Sequence, residues 1–402
     1  MISSAAEPGF QKSVVLSCVA TVLFWGAVYI YMPILSPYVK MVSGSVQSAG
    51  IIIGAYGLAQ LILRVPIGLL SDGIRRRKPF VLLGFVFDGL AALGLALSGG
   101  PVGLFLSVFT AGIAAAMWVP FTILFSSYFA VGQVARSMSI IIFSTRISQI
   151  TTNYAGGAIA EAWGWVAPFY WGILFSAVGF ALAFGIAEKR PERKTAGSLQ
   201  ELMKVGRNPI LLSSSISCAL MQFATFSTVS AFTPLAAQQI GAGKFELGLL
   251  YSFFIITNSA ATLLSGMYLR GLFSDRVLIT FSFAVIAAGL FPIPWATSLG
   301  GLYAFQAVTG VGVGVIFPLL MGRSVQPIPR ERQGLAMGIF QSVYAVGMTL
   351  GPIVGGIVAE WGGLSSVYVM NGSVCLAGAL LYVTGTLWPD SGPARAATPK
   401  RS

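Results

Sequence analysis

Gly68-Leu-Leu-Ser-Asp72-Gly-Ile-Arg75-Arg-Arg-Lys78-Pro79 separates two apolar runs, residues 48–70 and 80–97, each long enough to cross the hydrocarbon of a bilayer. Four consecutive cations cannot rest in lipid, so the stretch is a tight, water-facing turn between two spanning helices. Such a cluster also marks the cytoplasmic side of a membrane. Gly68 lets the end of one helix approach its neighbour closely. Asp72 suits the positive dipole end of the following helix and can pair with nearby cations. Half a chain later the phrase returns as Gly271-Leu-Phe-Ser-Asp275-Arg276. One motif at both places implies a duplicated membrane architecture.

Composition agrees. The chain has 402 residues, 56% hydrophobic and 9% charged, whereas a soluble domain carries about 25% charged residues. The net charge of +12 reports topology rather than a nucleic-acid partner. Only Lys40 and Lys244 fall on the side opposite the Arg/Lys turn, and Arg64 and Arg146 lie within spans. All other Lys and Arg lie on the first side or in the termini, which places both termini in the cytoplasm of a cell whose inner membrane holds the protein. Cys18, Cys218 and Cys375 sit inside apolar runs and read as packing residues, not a disulfide framework. With no His, no metal-ligand cluster, no phosphate loop and no nucleophile–base set, neither an enzyme nor a cofactor is expected. The first apolar run is too long for a signal-peptide core.

Residues 1–13 form a short polar terminus. Apolar runs follow at 14–38, 48–70, 80–97, 102–125, 138–160 and 166–187. Residues 188–209, rich in Lys and Arg, form a cytoplasmic linker with a short surface helix near 198–205. Six further runs lie at 210–238, 247–269, 277–296, 302–321, 335–359 and 364–387, before a Pro- and Ala-rich tail, 388–402. Backbone crossing lipid must satisfy its own amides, so these runs are helices. A second repeated phrase joins the halves: Gly156-Gly-Ala-Ile-Ala-Glu161-Ala-Trp163-Gly and Gly355-Gly-Ile-Val-Ala-Glu360-Trp361-Gly each end the fifth span of their half. The expected fold is an all-α integral membrane protein, with twelve transmembrane helices in two pseudo-symmetric six-helix bundles (14–187 and 210–387).

On these motifs the chain resembles the major facilitator superfamily of secondary transporters. The family's turn between its second and third helices has the form G-x-x-x-D-x-x-G-R-[RK], matched by Gly68, Asp72, Arg76 and Arg77. Arg75 stands where the family usually has glycine, and Gly73 where it often has arginine. The second copy keeps Gly271, Asp275 and Arg276 without the basic tail. The resemblance implies that Gly68, Asp72, Arg76, Arg77, Asp275 and Arg276 belong to a conformational gate at the cytoplasmic face. Many proton-coupled members carry an arginine four residues before a glycine in the fourth helix. Here that position is Val108, and its repeat partner is Gln306. The antiporter-associated G-x-x-x-G-P-x-x-G-G appears in the eleventh span, as Gly347, Gly351, Pro352, Gly355 and Gly356, rather than in the fifth.

Three ionisable residues lie deep in the spans. Each costs at least about 2.5 kcal/mol near the bilayer centre and so needs a partner, a wet cavity or a function. Arg64 and Asp88 sit at similar depth on sequential helices, and a structural ion pair between them is the expected arrangement. The sharper alternative makes Asp88 a proton-coupling carboxylate. Arg146, Gln149 and Asn153 share one face of the fifth span. That face either anchors an anionic group through the guanidinium fork or ties helices together. Trp25, Tyr29, Trp118, Gln222, Asn258, Gln341 and Tyr344 supply further polar-aromatic positions at helical spacing. Any one of them can be ordinary packing; together they suit a solute cavity with apolar walls and a few polar groups.

These readings imply a monomeric secondary transporter that moves a small organic solute by alternating access, with protons as a candidate coupling ion. Proton-coupled efflux of an amphiphile stands beside uptake or exchange of an organic anion held by Arg146. A receptor or scaffold that keeps the fold without transport is the alternative of another class.

Overall fold

The computed structural model describes residues 9–74, 76–130, 133–188, 199–329 and 332–388, with backbone only for residues 72, 134, 135 and 199–202. Among the described residues the regular structure is helical. Nine helical segments among the described residues are long and apolar enough to cross a membrane.

The first segment is two helices, α1 (Gln11–Tyr29) and α2 (Met32–Ser43), interrupted at Ile30 and Tyr31. Pro33 sits in the first turn of α2, where a missing amide is tolerated. Gly44 ends α2 in the left-handed region, φ 73°, which only glycine enters without strain. Then come α3 (Val46–Ile74), α4 (Lys78–Leu97), the broken pair α5 (Pro101–Ala116) and α6 (Trp118–Ser126), α7 (Val134–Trp163) and α8 (Ala167–Ala183). After the linker helix α9 (Leu199–Gly206), the chain continues through α10 (Pro209–Thr225), a π-turn at Phe226–Phe232 and α11 (Thr233–Gln239). The Asn208 side chain caps α10 by accepting from the Ile210 and Leu211 amides. There follow α12 (Lys244–Leu264), a second π-turn at Ser265–Leu269, α13 (Arg270–Leu272), α14 (Asp275–Leu290), α15 (Leu299–Val325) and α16 (Gln333–Val383). Gly363, at φ 74° and ψ 174°, breaks α16 into two helical stretches.

The helices pack as two groups with matching partners. In the first, α3 and α4 lie on α5, α4 lies on α8, and α1 lies on α7 and α8. In the second, α12 and α14 lie on α15, α14 lies on α16, and α10 lies on α16. The groups meet along two seams, α3 with α16 and α7 with α12. Both seams depend on glycine. A methyl on Gly57 would stand 2.7 Å from the Met348 carbonyl carbon, and one on Gly157 would stand 3.0 Å from the Gly248 Cα. Neither space admits a side chain, and such close backbone approach is what small residues provide in membranes.

The contacts are uneven along the membrane axis. Toward the ends where α2 and α7 finish, Gly50, Gly54 and Gly57 all press on α16. Toward the face carrying the two aspartate turns, the basic face, Gly68, Gly73 and Gly271 have no outside neighbour within 4 Å. Gly68 therefore does not mediate the close helix approach expected of it.

Candidate functional site

Arg146 lies midway along α7 and donates from Nη1 to Gln149 Oε1 at 2.9 Å, a bond their i,i+3 spacing permits. Tyr29, at the end of α1, is within electrostatic reach of Arg146 and of Tyr344. One turn back, the Trp25 ring lies 5.8 Å from that of Tyr29 and 5.3 Å from Trp118. Trp118 comes from the break between α5 and α6, and it also packs on Phe24 and Phe121. The Trp25 indole N–H is buried with no hydrogen-bond partner.

Across the α3–α16 seam the Arg64 guanidinium donates from Nη2 to Gln60 Oε1 and from Nη1 to the Tyr344 hydroxyl. It also lies over the Tyr344 ring, 5.2 Å from the centroid. Tyr344 is held in place by Phe317 and Phe340. Tyr56, stacked on Phe226 of the other bundle at 5.9 Å, lies within electrostatic reach of Tyr29, Arg64 and Asp88. Arg146 with Gln149, the rings of Trp25, Tyr29 and Trp118, and Arg64 with Tyr344 form neighbouring groups, joined by the electrostatic reach of Tyr29.

The expected Arg64–Asp88 ion pair is not formed. Asp88 is 1% exposed, and neither carboxylate oxygen has a hydrogen-bond partner. The reason is azimuth. Asp88 continues the stripe Phe80, Val81, Gly84, Phe85, Ala91, Ala92 and Leu95 that α4 buries inside its own bundle, whereas Arg64 points into the seam. Equal depth placed the two residues on one level but on different faces. Asn153 is fully buried on α7, its backbone carbonyl oxygen faces Gly248 of α12, and its side-chain amide has no hydrogen-bond partner. Asn258 is buried where α12 packs on α15. Gln222 is partly buried and accepts from Thr225 at 3.4 Å, and Gln341 is partly buried on α16.

The aspartate turns make contacts within their own bundles. At the start of α4 the Arg77 and Lys78 amides donate to the Glu188 carboxylate at 2.8 and 3.0 Å, and Lys78 Nζ donates to the Phe184 carbonyl at 2.7 Å. Glu188 thus supplies the acceptors that a helix N-terminus lacks. It was not singled out in the sequence, although it is the first carboxylate after the sixth apolar run. At the repeat, Arg276 donates to the Tyr382 and Val383 carbonyls at 2.9 and 2.8 Å, capping the end of α16. Arg270 and Asp275 approach only to 4.0 Å with both side chains well exposed, a weak pair. Arg76 is exposed. The Asp72 side chain and Arg75 lie outside the described residues.

Two helical bundles of this packing, joined along two seams beside a buried cluster of arginine and aromatic side chains, define a polytopic membrane protein of transporter type. A family model for the major facilitator superfamily matches residues 17–270 and, in a second alignment, residues 215–402. The chain belongs to that family. An uncharacterised transporter of the family from Methanocaldococcus jannaschii is 24% identical over 376 residues, covering 89% of this chain and 94% of the relative. A probable sugar efflux transporter from Mannheimia succiniciproducens is 21% identical over 387 residues, covering 93% and 92%. Among solved structures, a bacterial homologue of the human lysosomal transporter Spinster, in an inward-facing and occupied conformation, superposes with a TM-score of 0.74 at 14% identity, covering 95% of this chain and 97% of its own.

Proposed function

We propose that this protein is a secondary transporter of a small organic anion, working by alternating access in the cytoplasmic membrane as a monomer with both termini inside. In this reading the fold has twelve spans. Nine segments qualify by length and composition; α7 and α8 cross as well, and Gly363 divides α16 in two. Two pseudo-symmetric bundles then rock about a midplane site.

The observation that carries the anion reading is a surplus of donors. Among the described residues no carboxylate pairs with Arg64 or Arg146, the Trp25 N–H is unpartnered, and the one carboxylate at comparable depth, Asp88, faces elsewhere. A guanidinium without a counter-charge is costly inside a membrane, and a carboxylate or phosphate on the substrate satisfies it bidentately. Close glycine contacts with α16 at Gly50, Gly54 and Gly57, and open space beside Gly68, Gly73 and Gly271, support a state that opens on the basic face. The efflux relative supports outward transport.

A counterflow assay with a panel of labelled organic anions in reconstituted vesicles tests this. Exchange of at least one anion, abolished by Arg146→Ala, is the expected result. Exchange of neutral or cationic amphiphiles alone would contradict it. Asp88 supports a second reading, proton-coupled efflux of an amphiphile held by Trp25, Tyr29 and Trp118, because a buried carboxylate without a partner is stable when it carries a proton. Flux that follows an imposed pH gradient and is lost with Asp88→Asn would favour it. Vesicles that exchange no solute would favour a receptor or scaffold.

A further inference from the structure

Resting on the organic-anion reading, we infer that Arg64 is the residue through which a bound dianion acts on the bundle seam, by exchanging the Tyr344 hydroxyl for an acceptor group on the substrate. Arg64 comes from α3 in the first bundle and Tyr344 from α16 in the second. Their bond is a side-chain hydrogen bond that crosses from one bundle to the other. Just beyond it a methyl on Gly338 would meet Val65 only at 4.0 Å, and Gly68 meets nothing. Arg64 thus ties α3 to α16 where their glycine contacts loosen.

The tie is held by a replaceable partner. A neutral phenol is a weaker acceptor for a guanidinium than a carboxylate, whose hydrogen bonds are charge-assisted and bidentate. Arg64 is 7% exposed and its Nε–H is unpartnered, so its fork of donors is incompletely used. Tyr29 lies in electrostatic reach of Arg146 and of Tyr344, the residue that Arg64 holds. A ligand with one anionic group on Arg146 and another directed to Arg64 neutralises both intramembrane cations and removes the polar tie between α3 and α16. A monoanion on Arg146 alone leaves the tie in place. Occupancy by a dicarboxylate, or by a carboxylate bearing a phosphate, is therefore transmitted to the seam.

The test uses the full-length protein in nanodiscs with a panel of aliphatic and aromatic dicarboxylates and their mono-amides, read by calorimetric affinity. The wild type should bind a dicarboxylate at least about tenfold more tightly than its mono-amide, the size expected for one charge-assisted contact. Arg64→Gln should erase that preference while keeping mono-amide affinity. Tyr344→Phe keeps the ring for stacking but removes the competing hydroxyl, so it should tighten dicarboxylate binding and leave the mono-amide unchanged. A preference that survives Arg64→Gln, or weaker dicarboxylate binding in Tyr344→Phe, overturns the role of Arg64 even if Arg146→Gln abolishes all binding. If no member of the panel binds the wild type, or Arg146→Gln has no effect, the organic-anion reading itself falls.

Discussion

Arg146 and Asp88 are both deep in the first bundle, yet their surroundings assign them different work. Arg146 has one hydrogen bond, to Gln149, and a tyrosine beside it. Replacing it with alanine should weaken binding of an anion by about 1.5–3 kcal/mol, the range for hydrogen bonds to charged groups, while the fold persists; titration calorimetry measures this. Asp88 lies in the packed interior of its bundle and touches none of the cluster's hydrogen bonds. Asp88→Asn should therefore leave anion affinity unchanged, and a large loss of affinity would place the carboxylate in the binding machinery. Depth along each helix was legible from the sequence, because rise per residue is constant. Which face each side chain takes was not. The α4 stripe that buries Asp88 consists mostly of small and aromatic residues, and a carboxylate in register with them gives no sign in the sequence that it points inward.

At the scale of the helix, ends and seams carry the argument. The Glu188 carboxylate accepts two backbone amides at the start of α4, so Glu188→Ala should destabilise the protein by about 1 kcal/mol, as loss of an N-cap does, seen as a lower unfolding midpoint in detergent. Glu188→Gln retains an acceptor and should recover part of that loss. In the α3–α16 seam, Gly57→Val forces a side chain onto the Met348 backbone. It should open the seam and raise labelling of cysteines placed at the end of α2, with slower transport and little change in anion affinity. The helices and their repeat were readable because apolar length and the duplicated Asp72 and Asp275 turns are local signals. The break at Gly363 falls between the runs 335–359 and 364–387, but the break at Met117 and the π-turn before Pro234 were not readable, because they depend on how neighbouring helices satisfy the freed backbone groups. The gate residues are a related case. The turns were found in the sequence, but the bonds of Lys78 and Arg276 go to the last helix of their own bundle rather than across the gap.

For the whole molecule, the central claim is that two bundles rock about a buried anion site, closing one face as the other opens. On that claim, the contacts at Gly50, Gly54 and Gly57 and the open space beside Gly68, Gly73 and Gly271 belong to one end of the motion. Spin labels at Gly73 and Leu272 on the basic face, and at Met41 and Trp361 on the opposite face, report both ends in the same reconstituted protein. Met41, Trp361 and Leu272 are well exposed, and Gly73 has open space around it, so the labels disturb no packing. Pulsed-dipolar distances measured with and without a transported anion should change in opposite directions, the pair on the basic face shortening as the other lengthens. Distances that stay fixed, or that lengthen together, would contradict alternating access in this chain.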